Sequence, residues 1–113
     1  MRPLRLAVAA ERDLSNIFAD SESLFGPAIA DRYRRLVSAA LGDLRDDAER
    51  RGVHVLERGV RTYHLRHSRR RLPRGRTIAR PRHVLVFQLV DDELTVLRVL
   101  HDAMDLPARL SEL

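Results

Sequence analysis

The stretch of sequence that decides the fold runs from residue 84 to residue 100 and reads VLVFQLVDDELTVLRVL. Two runs rich in valine, leucine and phenylalanine flank a pair of aspartates, and such runs favour β-strands while aspartate favours turns. The pattern predicts a β-hairpin with strands at residues 84–90 and 94–100 and a turn at Asp91 and Asp92. Polar side chains and one methionine follow the second strand: His101, Asp102, Met104 and Asp105.

The sequence before this hairpin has a different period. Residues 4–8 alternate as a short strand with one buried face does. Apolar residues then recur at helical spacing from Glu11 to the Gly26-Pro27 pair, and again from there to the neighbourhood of Gly52. Two amphipathic helices separated by so short a break predict an antiparallel helical hairpin.

A β-prone segment at residues 60–65 follows the helices, so the predicted order is β-α-α-β-β-β. The corresponding fold class is α+β: an N-terminal strand and an αα-hairpin packed on a small, three- to four-stranded antiparallel sheet. At 113 residues the chain fits a single domain over residues 1–113. A short helical turn is also compatible with residues 105–110.

Composition excludes several kinds of chemistry. The chain has no cysteine, so disulfides, thiolate metal sites and cysteine nucleophiles are impossible. All 21 basic residues are arginine, which stays protonated and therefore binds anions but does not exchange protons. No apolar run approaches the roughly 20 residues that a membrane helix needs, and no secretion signal is visible, so we expect a cytoplasmic protein.

Positive charge is concentrated in one part of the chain. Residues 58–90 contain ten arginines and no acidic residue. Such a segment is typical of a contact with nucleic acid or with an anionic protein, and also of a solvated loop. No aromatic residue lies between Arg66 and Arg82, so the stacking platform of a single-strand binder is missing.

The histidines do not form a recognisable metal or catalytic pattern. If the strand that holds His64 continued to His67, the two side chains would point to opposite faces, and no carboxylate stands beside either one in sequence. His101 and Asp102 are neighbours that would also face apart. The sequence therefore predicts no metal, no cofactor and no catalytic residue, with a polar strand end at His101.

Four sequence elements together carry a family resemblance. They are DLxxI at residues 13–17, Gly26 ahead of a long helix with Tyr33 and Leu36, RPRH at residues 80–83, and RVLHxxMD at residues 98–105. This layout, which spans nearly the whole chain, resembles the ParE branch of the RelE/ParE toxins. The resemblance implies the toxin of a type II toxin–antitoxin pair.

The two branches of that superfamily act on different targets, so the branch that this chain resembles implies its target. ParE toxins poison DNA gyrase, whereas RelE toxins cleave mRNA in the ribosome with basic residues, often lysines, and a C-terminal tyrosine or similar group. This chain has no lysine, and its only tyrosines are Tyr33 and Tyr63, which favours the ParE-like interpretation. Two alternatives stay open: an mRNA interferase that uses Arg80, Arg82, Arg98 and His101, and a non-toxic member that acts only with its antitoxin in autoregulation.

The resemblance also implies two contact surfaces. DNA gyrase, or its complex with DNA, is expected to contact Arg74, Arg76, Arg80, Arg82, His83, Arg98, His101, Asp102, Met104 and Asp105. A ParD-like antitoxin is expected to form a hetero-oligomer with the toxin through an amphipathic helix on the helical hairpin and an extended segment on the sheet. The expected antitoxin contacts are Leu14, Phe18, Tyr33 and Val37.

Overall fold

The computed structural model of the chain describes residues 1–104 together with Leu106 and Leu110, so Asp105 and most of the expected helical turn at 105–110 lie outside the described residues. The regular elements of the described part, in chain order, are β1 (Leu4–Leu6), α1 (Val8–Phe25), α2 (Pro27–Asp46), β2 (His54–Val55), β3 (Arg61–His64), β4 (His83–Val90) and β5 (Glu93–His101). Two 3-10 segments, Glu57–Gly59 and Leu65–Arg71, flank β3.

The sheet has one strand more than the sequence predicted. Its order is β1-β5-β4-β3-β2, and β1 pairs with β5 in parallel while the other neighbours are antiparallel. The predicted α+β fold, with an N-terminal strand and an αα-hairpin on a small sheet, is confirmed. The sheet has five strands instead of the predicted three to four, and β1 is parallel to its neighbour. β2 is only two residues long and therefore has no alternation to detect, and the direction of β1 depends on a partner 90 residues away, as in the pair Leu4 and Leu94.

The predicted hairpin is confirmed as β4 and β5. Asp91 and Asp92 both have positive φ angles, 50° and 66°, as a two-residue type I′ hairpin turn requires. A bulge interrupts the pairing, because Phe87 lies opposite Val96 while Val86 lies opposite Arg98. One extra residue shifts the side-chain alternation, so Val96 before the bulge and Val99 after it both join the core under the helices.

Both helices pack on one face of the sheet. Leu14 of α1 and the fully buried Leu36 and Leu44 of α2 lie in one cluster with Leu85 and Phe87 of β4. The other face of β4 is also buried, since Val86 has no exposed surface, and this explains why β4 reads as an almost continuous apolar run. Neither α-helix of the described part is long and apolar enough to cross a membrane.

Two helix boundaries differ from the prediction. α1 begins at Val8 rather than Glu11, because β1 ends at Leu6 and Ala7, with extended backbone, donates its N–H to Val96 of β5. α2 ends at Asp46, well before Gly52. There Asp47 turns to extended backbone and its carboxylate accepts the N–H of Glu49, a local bond that competes with the helix.

Gly52 packs closely against His67, whereas Gly59, which also has a positive φ angle, has open space around it. The φ of Gly52 is +99°, and a Cβ at this position would lie 2.6 Å from Cδ2 of His67. Gly59 also has a positive φ, +71°, but a Cβ there would meet nothing within 4 Å. Gly59→Ala therefore reports backbone strain alone, whereas Gly52→Ala adds a collision.

We predict that Gly59→Ala lowers the free energy of unfolding by about 1 kcal/mol, and that Gly52→Ala lowers it by at least about 1 kcal/mol more. The excess arises because His67 must leave its position beside the Tyr63 ring, 5.5 Å away between centroids. Urea unfolding of the two variants and the parent measures the difference. Equal losses would show that His67 adapts without cost.

Candidate functional site

Three sheet strands and one helix bring six polar or ionisable side chains to one end of the sheet. The pairing places His64 at the end of β3 opposite Val84, and His83 at the start of β4 opposite His101 at the end of β5. Residues just outside the strands and one residue of α2 complete the group. We call it the end cluster: Tyr33, His64, Arg82, His83, His101 and Asp102.

Asp102 is the centre of the end cluster. Its carboxylate accepts hydrogen bonds from Nε2 of His64 at 2.9 Å and from Nε of Arg82 at 3.0 Å, and its backbone N–H donates to the Arg82 carbonyl at 2.8 Å. The N–H of Arg66 donates to Nδ1 of His64, so the His64 proton is assigned to Nε2. The His64 hydrogen bond and the Arg82 guanidinium hold the pKa of Asp102 below its ordinary value.

This contact corrects the sequence interpretation of the histidines. His64 has a carboxylate companion, Asp102, which lies 38 positions further along the chain. His67 is not on the strand at all, since β3 ends at His64 and His67 belongs to the 3-10 segment Leu65–Arg71. Asp102 likewise lies beyond the end of β5, so the expectation that it faces away from His101 on a continuous strand does not apply.

A second hydrogen-bonded chain joins α2 to β4. The Tyr33 hydroxyl accepts the N–H of Arg82 at 3.1 Å and, at 2.6 Å, donates to Nδ1 of His83. Burial raises the pKa of Tyr33 to about 12. Burial, reinforced by the neighbouring His101, lowers the pKa of His83 to about 4. Both groups are therefore neutral at pH 7, which suits a positioning contact better than proton transfer.

His101 is the more accessible imidazole of the cluster, with 39% of its side chain exposed. Its ring lies edge-on to that of His83, 5.3 Å between centroids. Its Nδ1 accepts the N–H of Ala103, which leaves Nε2 as the ring nitrogen for an outside ligand. Met104, 41% exposed, follows three positions after His101. An exposed imidazole and an exposed thioether thus stand beside the end cluster.

Arg98 is engaged by α1. Its Nε and Nη2 contact the two carboxylate oxygens of Asp13 at 2.8 and 3.1 Å. The same carboxylate accepts the N–H of Val99 at 2.9 Å, at an edge of β5 beyond the last residue of β1. Asp13 therefore closes a sheet edge that β1 is too short to cover. Two elements of the family layout, DLxxI and RVLHxxMD, meet in this contact.

The remaining residues expected to contact the target are spread around the end cluster. Arg74, Arg76 and Arg80 are exposed in the loop between β3 and β4, whereas Arg82, His83, His101 and Asp102 are in the cluster itself. The structure thus gathers four of the expected residues and sets Met104 beside them. Asp105 lies outside the described residues.

The residues expected to contact the antitoxin lie mostly in the core. Leu14, Tyr33 and Val37 are only 8%, 8% and 4% exposed. Phe18 is half-buried, with the Arg34 guanidinium 5.0 Å from its ring centroid. The strongly exposed apolar residues of the helical hairpin are instead at its tip, Leu24 and Phe25. Helical spacing identified the apolar face of each helix, but the sheet covers most of it.

A groove of about 1280 Å³ is a surface that the sequence did not reveal. It lies beside the short edge strand β2 and on the sheet face away from the helices, and its lining is His54, Val55, Leu56, Glu57, Arg58, Val60, Thr62, Gln88, Leu97, Leu106 and Leu110. Val55 and Leu56 at its rim are exposed. One side of the groove is formed by β2 and by the 3-10 segment Glu57–Gly59, and both are too short to show a periodic pattern in the sequence.

The chemistry available to the end cluster is mainly that of binding. Among the described residues, no group of three histidine, aspartate or glutamate side chains could hold a metal ion. His64, Arg82 and Asp102 are bound to one another, and Tyr33 and His83 share a hydrogen bond. The arrangement presents a rigid polar surface with one accessible imidazole.

Comparisons with known proteins agree with this architecture. A family model described as the ParE toxin of the type II toxin-antitoxin system, parDE, matches residues 4–106. The fold is similar to a solved structure of a chromosomal ParDE TA system from P. aeruginosa, with a TM-score of 0.66 and 22% sequence identity. That alignment covers 89% of this chain and 96% of the other, and at this identity it concerns the fold alone. No curated protein matches the sequence.

We predict that His83 is a source of acid sensitivity. Its pKa is about 4 in the folded chain and about 6.5 in an unfolded one, so the unfolded state takes up a proton first as the pH falls. The contribution of neutral, buried His83 to the free energy of unfolding is therefore complete above about pH 6.5 and is lost as the pH falls towards 4. A proton NMR titration should give a His83 midpoint of about 4.

The matched variant is His83→Gln, which retains an acceptor for the Tyr33 hydroxyl and removes the titration. Its urea midpoint should fall less than that of the parent between about pH 7.5 and about pH 5. Some dependence remains in both proteins, because burial also lowers the pKa of His67. His54→Gln, at an exposed position of β2, should behave as the parent does. Parallel curves for all three would contradict the assignment.

A separate prediction concerns Asp13, whose side chain is 16% exposed. Asp13→Ala should lower the free energy of unfolding by about 2 kcal/mol, because it leaves the Val99 N–H and the Arg98 guanidinium without this acceptor. The control is Asp31→Ala, which breaks an exposed ion pair with Arg35 within α2 and should cost less than about 0.5 kcal/mol. Similar losses in the two variants by urea unfolding would argue against a structural role for Asp13.

Proposed function

The chain belongs to the ParE toxin family of type II toxin–antitoxin systems, and we propose that it acts by binding and poisoning DNA gyrase until a ParD-like antitoxin neutralises it. The observation that carries this proposal is the family match over residues 4–106, together with a fold that agrees along most of the chain. Gyrase is the target associated with the ParE branch.

The end cluster supports a binding mechanism over mRNA cleavage. A nuclease needs groups that accept and donate protons around a scissile phosphate. Here Tyr33 and His83 are neutral and hydrogen-bonded to each other, and Asp102 accepts from both His64 and Arg82. Apart from His101, the members of the end cluster are hydrogen-bonded to one another, and such a cluster suits a fixed surface for a partner. In this proposal the end cluster is therefore a fixed binding surface for the target, which we call the platform.

We infer that the target contacts the accessible side of that platform. Arg80 is exposed and Met104 is 41% exposed, and each is three positions from one member of the pair formed by His83 and the partly exposed His101. An arginine and a methionine beside a fixed imidazole combine charge with a deformable apolar group, a composition that protein interfaces favour. Arg82 and Arg98 are already paired with Asp102 and Asp13, so their role in this proposal is to position the strand ends.

The antitoxin has two apolar surfaces available to it. One is the tip of the helical hairpin, where Leu24 and Phe25 are 73% and 66% exposed next to the half-buried Phe18. The other is the groove beside β2, where an extended segment could add to a sheet edge that Val55 leaves open. A helix on the first surface and a strand on the second reproduce the two modes expected from the family.

Expression of the chain without its antitoxin, followed by two assays on the purified protein, tests the proposal. Gyrase supercoiling should be inhibited, or cleaved DNA trapped, while ribosome-dependent mRNA cleavage is absent. mRNA cleavage with normal supercoiling would replace the proposal with a RelE-like interferase. A chain that is inactive in both assays yet binds its antitoxin would be a non-toxic member of the family.

We predict that Arg80→Gln combined with Met104→Ala weakens gyrase inhibition at least about 10-fold, as loss of interface contacts worth roughly 1.4 kcal/mol does. Antitoxin affinity and the urea midpoint should be unchanged, because neither side chain belongs to the core. The matched control is Arg12→Gln combined with Val90→Ala, an exposed arginine on α1 and an exposed valine at the hairpin turn. If the control loses as much inhibition, the platform is misplaced.

A further inference from the structure

The loop between β3 and β4 contains more positive charge than the carboxylates around it neutralise. Residues 65–82 carry eight arginines and no acidic residue. Within the described part of the chain, two of the eight have carboxylate partners: Arg71 contacts Asp43 and Arg82 contacts Asp102. The other six are exposed: Arg66, Arg69, Arg70, Arg74, Arg76 and Arg80. We call these six the basic loop.

The loop is held in place by its own contacts. Asp43, nearly buried at the end of α2, accepts a hydrogen bond from Ser68 at 2.7 Å and pairs with Arg50 at 2.9 Å. Ser68 also bonds the Tyr63 hydroxyl at 2.7 Å, so the 3-10 segment is fixed to both α2 and β3. Arg69 donates to the carbonyl of Ala79 at 2.8 Å and thereby ties the two arms of the loop together. A partner would meet this charge already positioned.

The apolar residues of the loop point inward. Leu65 is fully buried, Leu72 is 7% exposed, and Ile78 packs against the core. The strongly exposed large apolar residues of the described chain are all elsewhere, as with Val55 and Met104. Protein interfaces are built around apolar or aromatic anchors, whereas contacts to phosphates need only cations. The composition of the loop therefore favours a partner that presents many phosphate groups, such as a nucleic acid, over an acidic protein.

The same loop lacks the aromatic side chains that proteins use to bind single-stranded nucleic acids. Residues 64–86 contain no phenylalanine, tyrosine or tryptophan, so unpaired bases would find no aromatic surface on which to stack. A duplex presents its phosphates outward with the bases already stacked, and arginines alone can bind it. We propose that the basic loop binds the phosphate backbone of double-stranded DNA, without sequence preference. In the setting of the proposed function, on which its biological meaning rests, the DNA is the segment held by gyrase.

Direct binding of the purified, full-length chain to a short fluorescent duplex of mixed sequence tests this inference. Anisotropy titrations between about 50 and 200 mM salt should give a linear log–log plot whose negative slope reflects the number of phosphate contacts. Arg70→Gln/Arg74→Gln/Arg76→Gln should reduce that slope by about 3 and weaken binding at least about 10-fold. These side chains are exposed, so the urea midpoint should stay unchanged.

The control removes the same charge elsewhere: Arg5→Gln/Arg12→Gln/Arg35→Gln, three exposed arginines of β1, α1 and α2. It should retain most of the affinity and slope. Equal losses in the two variants would reduce the effect to net charge, and tighter binding of a polyglutamate peptide than of the duplex would assign the loop to an acidic protein. Either result overturns the inference, as does absence of DNA binding by the parent.

The supercoiling assay separates this inference from the proposed function. Gyrase inhibition by a parent chain that does not bind duplex would leave the proposed function standing and remove the loop from it. Duplex binding that depends on Arg70, Arg74 and Arg76, in a chain that never inhibits gyrase, would confirm DNA binding by the basic loop and contradict the proposed function.

Discussion

Burial of β4 on both of its faces is the constraint on which the rest of this structure depends. Leu85 and Phe87 face the helices, and Val86 is fully buried on the other side. A strand in this position cannot slip by one residue without moving its whole apolar set to the wrong face. The register against β5 is therefore fixed, and the bulge beyond Val96 is the one adjustment within it. This register sets His83 opposite His101 and builds the end cluster.

The sequence predicted those parts of the fold that rest on local patterns. The hairpin, its Asp-Asp turn, the two helices and the α+β class follow from periods of two and of 3.6 residues and from turn chemistry. The edge strand β2, the parallel direction of β1 and the early end of α2 at Asp46 do not. A two-residue strand has no period. At the end of α2 the Asp47 carboxylate accepts a hydrogen bond from the N–H of Glu49, and this local bond outweighs the helical spacing that continues past it.

The candidate site was predictable only in its location. The ending RVLHxxMD overlaps the end of β5 at which the end cluster lies. The contact between His64 and Asp102, however, joins residues 38 positions apart, and that between Asp13 and Arg98 joins residues 85 apart. Neither spacing leaves a trace in one sequence. The same limit applies to Leu14 and Val37: periodicity shows that a helix has an apolar face, and only the packing shows that the sheet covers it.

In a chain without lysine, arginine has to serve both as a structural cation and as a binding cation, and composition cannot tell the two apart. The distinction comes from where the fold places the carboxylates. Asp13, Asp43 and Asp102 each reach an arginine from a distant part of the chain, and each such arginine then positions a strand edge, a 3-10 segment or a loop. Within the described part of the chain, arginines such as Arg12, Arg34 and Arg58 also lack a carboxylate partner, but the basic loop gathers six such arginines in one segment, between the ends of β3 and β4. The acidic residues thus select, by their positions in the fold, which part of the positive charge remains for a partner.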